Sequence, residues 1–290
     1  MEYRLYKRIY DIVATLGKTH DFARKRFGDA WIVLTFAWAV LHDRPTSWAC
    51  AAENWPAAES WHAIPSDATM SRRLRTVGVL TLMAQAQAAV RDWFPRGLFK
   101  MIDAKPLPVG GTSGDADADC GRGARGKAVG YKLHLAWDMR DGGAADAWSL
   151  GHMSTNEKRV AATDLIPRLP PFAYLAADNQ YDGNRMYDLA ASAGGQLVVA
   201  PRTRTPAGLG HRAQSPHRLR GLAIAGGRFG RALLHARGAI ERRLGTWGNF
   251  AGGLSPLPNW VRRPRRVARW VWGKLLIYHV RLAMKQGLTA

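Results

Sequence analysis

Three carboxylates, far apart in the chain, carry the most specific chemistry the sequence offers. Asp103 lies in FKMIDAKPLP, residues 99–108, where Phe99, Met101 and Asp103 share one parity of a strand-like run, so the charge faces the same side as two apolar residues. Pro106 and Pro108 cannot donate to a sheet ladder, which predicts that the strand stops there and leaves Asp103 near its C-terminal end. Asp178 follows a short apolar run in AYLAADNQYDG. Glu241 belongs to LLHARGAIERRL, in which Arg237, Glu241 and Leu244 fall at i, i+4 and i+7, so Arg237 and Glu241 share one helix face. Carboxylates gathered in one place repel one another and desolvate poorly, so such a group makes sense with divalent cations to neutralise it. Oxygen-only donors favour Mg²⁺ or Mn²⁺ over zinc. Two such ions about 4 Å apart activate an attacking oxygen and stabilise a leaving one in phosphodiester chemistry.

Bringing these residues together demands a sheet, and the pattern from residue 98 onward supplies one. GYKLHLAWDMRDGG alternates apolar and polar residues and turns at Asp141-Gly142-Gly143, and AWSLGHM, residues 147–153, is the returning strand. NEKRVAATDLIPRL has an Asn cap and a helical stripe at Val160, Ala161 and Leu165. The strand that delivers Asp178 comes next, then a helix, RMYDLAASAGG, with a glycine stop, then a fifth strand, QLVVAPR. Three antiparallel-type strands followed by helix, strand, helix, strand is the layout of an RNase H-like α/β domain, a mixed sheet flanked by helices. In that layout a carboxylate on the first strand and one at the end of the fourth lie side by side at the centre, and a third comes from a helix packed across the sheet. Between Asp178 and Glu241, PRTRTPAGLGHRAQSPHRLRGL is rich in Arg, His, Pro and Gly; we read it as a mobile basic loop over the site, with Arg202 and Arg204 as DNA contacts.

The first 95 residues read as helical throughout. Leu5, Ile9, Ile12, Val13 and Leu16 repeat at helical spacing up to Gly17, and a second helix runs from about Asp29 to Leu41. In IPSDATMSRRLRTVGVL, Ser66 or Asp67 can cap a helix that carries Thr69, Ser71, Arg72, Arg73 and Arg75, with Met70, Leu74 and Val77 turned inward. A short capped helix with arginines, preceded by a helix and a turn, is what a helix-turn-helix recognition element needs, so Arg72 and Arg73 are DNA-contact candidates. An ordinary solvated helix face fits the same residues. Leu80 to Val90 continues as helix, and Arg91 to Gly97 reads as the linker. The expected division is therefore a helical DNA-recognition region, 1–95, and an RNase H-like catalytic domain, 96–290.

Composition agrees with a nucleic-acid partner. The chain has 290 residues, 47 % of them hydrophobic, enough to bury a real core in one large domain with a smaller accessory one. Its 42 Lys and Arg against 22 Asp and Glu leave +20, an excess that points to a polyanion. Cys50 and Cys120 stand far apart with no CxxC spacing, so neither a disulfide framework nor a zinc site is readable and a reducing cytoplasm fits. The most apolar run, WIVLTFAWAVL, has 11 residues, short of the ~18 of a membrane span, and reads as a buried helix. MEYRLYKRIY carries charges where a signal peptide would be apolar, so secretion is not expected.

Other polar residues take plainer roles. Asp138 ends a strand and Asp182 caps the next helix. Asp115 and Asp117 lie in GTSGDADADCGRGARG, a flexible-loop composition with no metal-loop reading. His134 is a packed or surface histidine. Trp270, Val271, Leu275, Tyr278 and Leu282 form a helical stripe assigned to core packing.

MIDAKPLPV, GYKLHLAWD, YLAADNQYDGNRM and the closing IERRLGTWGNFAGGLSPLPNWVRRPRRVARWVWGKLLI, in this order, resemble the insertion-sequence DDE transposases of bacteria across residues 30–285. The resemblance implies a catalytic and metal-binding triad of Asp103, Asp178 and Glu241, with Arg237 as the basic residue beside the glutamate. It implies Mg²⁺ or Mn²⁺, two ions in all, and double-stranded DNA as both end and target substrate. Cleavage at the element's ends, strand transfer into target DNA, a dimer in the active complex and a bacterial cytoplasm, at the nucleoid when bound, follow from the same likeness. Relatives often carry a tyrosine three residues before that arginine and a lysine seven after the glutamate, where this chain has Leu234 and Gly248. It also has no tryptophan among the 62 residues between Asp178 and Glu241, so neither a large β-rich insertion nor its base-holding indole is expected. A hydrolytic nuclease of the same fold and an inactive DNA-binding relative are the alternatives.

Overall fold

The apolar run at Trp31–Leu41 is a helix buried along its length, in a computed structural model that describes residues 2–19, 26–57, 63–110, 114–123, 126–200, 213–248 and 253–288. The chain divides into two compact units: Met1–Phe94 with Asn249–Leu254 and Pro258–Ala290, and Pro95–Gly248 with Ser255–Leu257. The C-terminal segment thus groups with the N-terminal helices, which a single division near residue 95 does not capture.

In the first unit, α1 (Glu2–Gly17), α2 (Asp29–Leu41), α4 (Val77–Asp92) and α9 (Pro264–Gln286) pack on one another, with the short α3 (Asp67–Arg73) beside α2. Every residue from Ile32 to Val40 is buried, as an all-round apolar helix must be. Around α2 lie Tyr6, Ile9 and Val13 of α1, Val79, Leu82 and Ala86 of α4, and Val267, Val271 and Leu275 of α9. Trp38 anchors an aromatic group, edge-on to Tyr6 at 4.9 Å and stacked on Trp55 at 5.3 Å, and its indole N–H donates to the Asn54 carbonyl at 2.9 Å. Gly273 lets α9 come close to α2, since a Cβ there would stand 2.9 Å from Val40 Cγ1.

Ser66 caps α3, accepting from the Thr69 N–H at 3.3 Å. Two 3-10 turns, Trp48–Cys50 and Ala52–Asn54, precede α3, and the three-residue turn 74–76 joins it to α4. Val77, expected to face inward, is 80 % exposed, because α4 begins there and turns it outward; Met70 and Leu74 are buried as expected. Arg91 belongs to α4 rather than to the linker.

The second unit is an RNase H-like mixed sheet with helices on its faces. Its strands are β1 (Phe99–Pro108), β2 (Asp119–Gly123), β3 (Gly126–Asp138), β4 (Ala145–His152), β5 (Tyr174–Ala177) and β6 (Gln196–Val199). β3 pairs antiparallel with β1, β2 and β4, while β5 lies parallel to β1 and β6 parallel to β5. The helices are α5 (Glu157–Val160), α6 (Asn184–Ser192), α7 (Pro216–Gly226) and α8 (Arg228–Thr246). Asn156 caps α5 by accepting from the Arg159 N–H at 3.3 Å, as its sequence position indicates.

Three local expectations are revised. β1 runs through both prolines instead of stopping before them, so Asp103 lies in mid-strand. Pairing with β5 ends at Met101, and Val109 N–H, of the opposite parity to the prolines, is the one that bonds to β3 at 2.9 Å. Pro106 and Pro108 therefore turn their missing donors to an edge where no strand among the described residues needs them; the Pro108 carbonyl on that side accepts from the Leu257 N–H at 3.0 Å. Next, the stretch read as a flexible loop forms β2, because β3 starts at Gly126 and offers an edge beyond the end of β4. Finally, the basic segment after β6 contains α7, capped by Ser215 with Pro216 in its first turn; residues 201–212, with Arg202 and Arg204, lie outside the described residues.

The sheet has two different faces. One carries Ile102, Ala136, Leu175, Ala177, Leu197 and Val199 into a core with Leu165, Met186, Tyr187 and Ala190. On the other, Met101 pairs with Trp137 and Ala176, and α8 lies against it: Phe229 is 4.9 Å from Tyr174 and 6.1 Å from Phe99, and Trp247 is 6.4 Å from Trp137, ring to ring. Cys50 and Cys120 are free thiols, and no helix among the described residues is long and apolar enough to cross a membrane.

Candidate active site

Alternation along β1 puts Asp103 on the α8 face, between Met101 and Lys105 and opposite Leu135 of β3. The parallel register Met101 to Ala176 carries the same parity to Asp178, one residue past the end of β5. There the Asp178 carboxylate accepts from the Gln180 N–H at 2.9 Å. Glu241 projects from α8, with Arg237 one turn before it, Nη1 to Oε1 2.7 Å. Strand, strand end and crossing helix each deliver one carboxylate to one side of the sheet.

Electrostatics show that these groups sense one another. Burial pushes the Asp103 carboxyl up to about 6; the Ala104 backbone hydrogen bond and Arg237 pull it down, while Glu241 and Asp178 push it further up. Tyr181, which follows Asp178 by three residues, is fully buried, and its hydroxyl has no hydrogen-bond partner among the described residues. Burial, then Glu157, Asp103 and Asp178, hold that hydroxyl well above the ordinary tyrosine range. Lys105, two residues beyond Asp103 on the same face, is half-buried, and its ammonium is held below its usual value by burial, with Asp103 opposing. A methyl group at Gly248 would overlap the Lys105 side chain, so the glycine keeps the space in which that side chain lies.

Oxygen donors under mutual repulsion fit a hard divalent cation. Among the described residues no three His, Cys, Asp or Glu side chains already converge on a single point. Glu241 is engaged by Arg237 instead.

Behind the site is a charge cluster that sequence reading missed. Lys100, fully buried on the opposite parity from Asp103, pairs with Asp138 at 2.9 Å and with Asp146 at 2.7 Å. Asp138 also accepts from the Gly97 N–H at 2.6 Å and the Arg140 N–H at 3.0 Å. Burial would raise its carboxyl, but these donors together hold it below the usual range. The cluster pins the beginning of β1 three residues ahead of Asp103. Asp138 does end its strand, as read from the sequence. Asp182 does not cap α6, whose N-cap is Gly183; its carboxylate takes a bidentate pair from Arg218 of α7, at 2.7 and 2.8 Å.

A family model described as Transposase DDE domain matches residues 97–279, more than half of the chain. The chain belongs to this transposase family. No curated protein matches it. In this DDE transposase-family chain Arg72 is exposed on α3, whereas Arg73 is turned inward, where it pairs with the buried Asp29 and donates to the Phe27 carbonyl at 2.8 Å. Of the residues overlooked in the sequence, Lys105 had a visible signal, because it shares Asp103's parity. The pairing of Lys100 with Asp146 had none, since it depends on the β-bulge between Ala136 and Trp137 in the β3–β4 ladder.

Proposed function

We propose that this chain is an active transposase that cuts DNA at insertion-sequence ends and joins the freed 3′-OH to target DNA. The observation that supports it best is the raised carboxyl of Asp103, which answers to Asp178, Glu241 and Arg237 together inside the matched family region. In the first step water attacks the phosphodiester as the bond to the 3′ oxygen breaks; in the second the freed hydroxyl attacks a target phosphodiester in the same way.

Asp103, Asp178 and Glu241 would hold Mg²⁺ or Mn²⁺, two ions in the reading we favour. Bound there, such ions supply charge neutralisation at the attacking and leaving oxygens. The chain's own groups do the rest. Arg237 orients Glu241 and offers its fork to the phosphate beside the scissile bond. Lys105 contributes a cation on the side of Asp103 away from the β5 pairing. The helical unit binds the ends as double-stranded DNA: Arg72 reaches the duplex from α3, with Arg202 and Arg204 as further DNA contacts. Two copies act together on two ends.

Incubation with DNA bearing the flanking inverted repeats, target plasmid and Mg²⁺, followed by sequencing of the products, tests the reading. Joined ends that vanish with chelator are expected. Cut but never joined ends would make the protein a hydrolytic nuclease, and DNA binding without any cutting would make it an inactive relative.

A further inference from the structure

A pocket of about 250 Å³ opens in the helical unit where the start of α9 meets α3 and the turn after α2. Four arginines line it, Arg44, Arg75, Arg266 and Arg269, against one carboxylate, Asp67. Trp260, 40 % exposed, forms an apolar wall. Arg75 is steered by a 3.2 Å hydrogen bond to the Ser71 hydroxyl, and Arg269 by one of 3.4 Å to the Leu74 carbonyl.

We infer that this pocket binds a backbone phosphate of the DNA duplex beside α3, an assignment that rests on the DNA-joining reading above. Guanidinium groups converging on a concave space repel one another, and one aspartate does not balance four of them. Burial, followed by Arg266, Arg75 and Arg265, brings Arg269 down to about 10, so its neighbours add to what burial already does against its charge. A phosphodiester removes that repulsion and matches the guanidinium fork through paired N–H bonds. The first turn of α9 has no acidic residue to compete for the arginines.

Size and position narrow the ligand further. The pocket has room for roughly eight waters at about 30 Å³ each, enough for a phosphate group with part of its hydration and too little for a base pair. Its task is therefore to set the position of the duplex rather than to read sequence. Exposed Arg72 stands between the pocket residues Ser71 and Arg75 in sequence, so a duplex seated here would come up against α3. Arg44 and Arg75 come from the turns that follow α2 and α3, Arg266 and Arg269 from the C-terminal helix. The C-terminal helix thus becomes part of the end-binding surface, a role that its apolar stripe alone would not give it.

The test uses the full-length chain and a fluorescein-labelled duplex carrying the inverted repeat, titrated by anisotropy at several salt concentrations. Arg266→Ala with Arg269→Ala is expected to weaken binding by about tenfold or more, and to lower the slope of log K against log salt by about 0.9, the share of one phosphate contact. Since Arg269 is partly buried, Arg44→Ala with Arg266→Ala, both exposed, provides a second variant whose melting temperature should match the wild type and whose slope should fall likewise. Double replacement by Lys should recover most of the slope. Unchanged affinity and slope in both Ala variants would overturn the proposal while leaving the transposase reading intact, provided the wild type binds the duplex. Thermal stabilisation of the wild type by inorganic phosphate, with DNA binding unaffected by the Ala changes, would also overturn it, as a site for small anions only. A wild type that binds no duplex at all would sink both readings.

Discussion

The side chain of Lys105, on β1, fills the space that any side chain at position 248 would need, at the end of the segment that begins with α8. A cation two residues from Asp103 thus depends on a glycine more than a hundred positions away in sequence. Lys105 brings its ammonium to the neighbourhood of position 248 from the strand.

Gly248→Ala should displace Lys105 and slow DNA joining by about tenfold, as a misplacement of about 1 Å can. Lys105→Ala should do the same. If the two residues form one device, the double variant is no slower than either single one. Rates are read from single-turnover strand transfer, and multiplied losses in the double variant would separate Lys105 from Gly248.

The arginines of α3 should part company. Arg73 is paired with the buried Asp29, so Arg73→Ala leaves a buried charge behind and should destabilise the helical unit by about 3 kcal/mol. Arg72 is exposed. Arg72→Ala should leave stability unchanged within about 0.5 kcal/mol and weaken binding to the inverted repeat. Urea melts and anisotropy on the same preparations check both. Equal stability of the two variants would contradict the structure of the Asp29 pair.

His134 makes stability depend on acid. The side chain is fully buried, neither ring nitrogen is hydrogen-bonded among the described residues, and burial, then Lys132, bring it down from the ordinary 6.5 to about 4, with Asp164 opposing. Its folded value lies below its unfolded one, so unfolding takes up a proton as the solution is acidified. The stability it contributes is complete above pH 6.5 and is lost as pH falls toward 4, on the order of 3 kcal/mol. His134→Leu should therefore flatten denaturant midpoints between pH 6.5 and 4 relative to the wild type. Parallel curves would show that the imidazole is charged in the fold.

Arg237 touches Glu241 at 2.7 Å, with Arg237 and Glu241 side chains 20 % and 36 % exposed. Were this only an exposed helix pair, it would contribute under about 1 kcal/mol and be dispensable. Arg237→Lys keeps the charge and loses the fork. The variant should fold and bind end DNA normally, and cleave about tenfold more slowly; wild-type cleavage would remove Arg237 from the site.

Much of the site was legible in the sequence because period and parity survive folding. Alternation in FKMIDAKPLP fixed the side of the sheet that Asp103 faces, and the i, i+4 spacing of Arg237 and Glu241 became an ion pair. What failed depended on partners distant in sequence. Pro106 and Pro108 stop a strand only where a neighbour needs their N–H, and among the described residues no strand pairs with that side of β1 past Met101. Asp182 had the right place for a cap, but Arg218, on a helix hidden within a basic segment, offered a better pair. Arg73 looked like Arg72 until the fold brought Asp29 beneath it.

The central claim is that Asp103, Asp178 and Glu241 act as one metal-dependent site for joining DNA ends. The most direct measurement compares wild type with Asp178→Asn on inverted-repeat DNA in Mg²⁺, scoring end binding by anisotropy and cut and joined strands by sequencing. Replacing one carboxylate oxygen by an amide should abolish cutting and joining, because a neutral ligand no longer holds the cation, and should leave end binding within about twofold, because the DNA contacts lie elsewhere. Joining by Asp178→Asn at the wild-type rate would contradict the account.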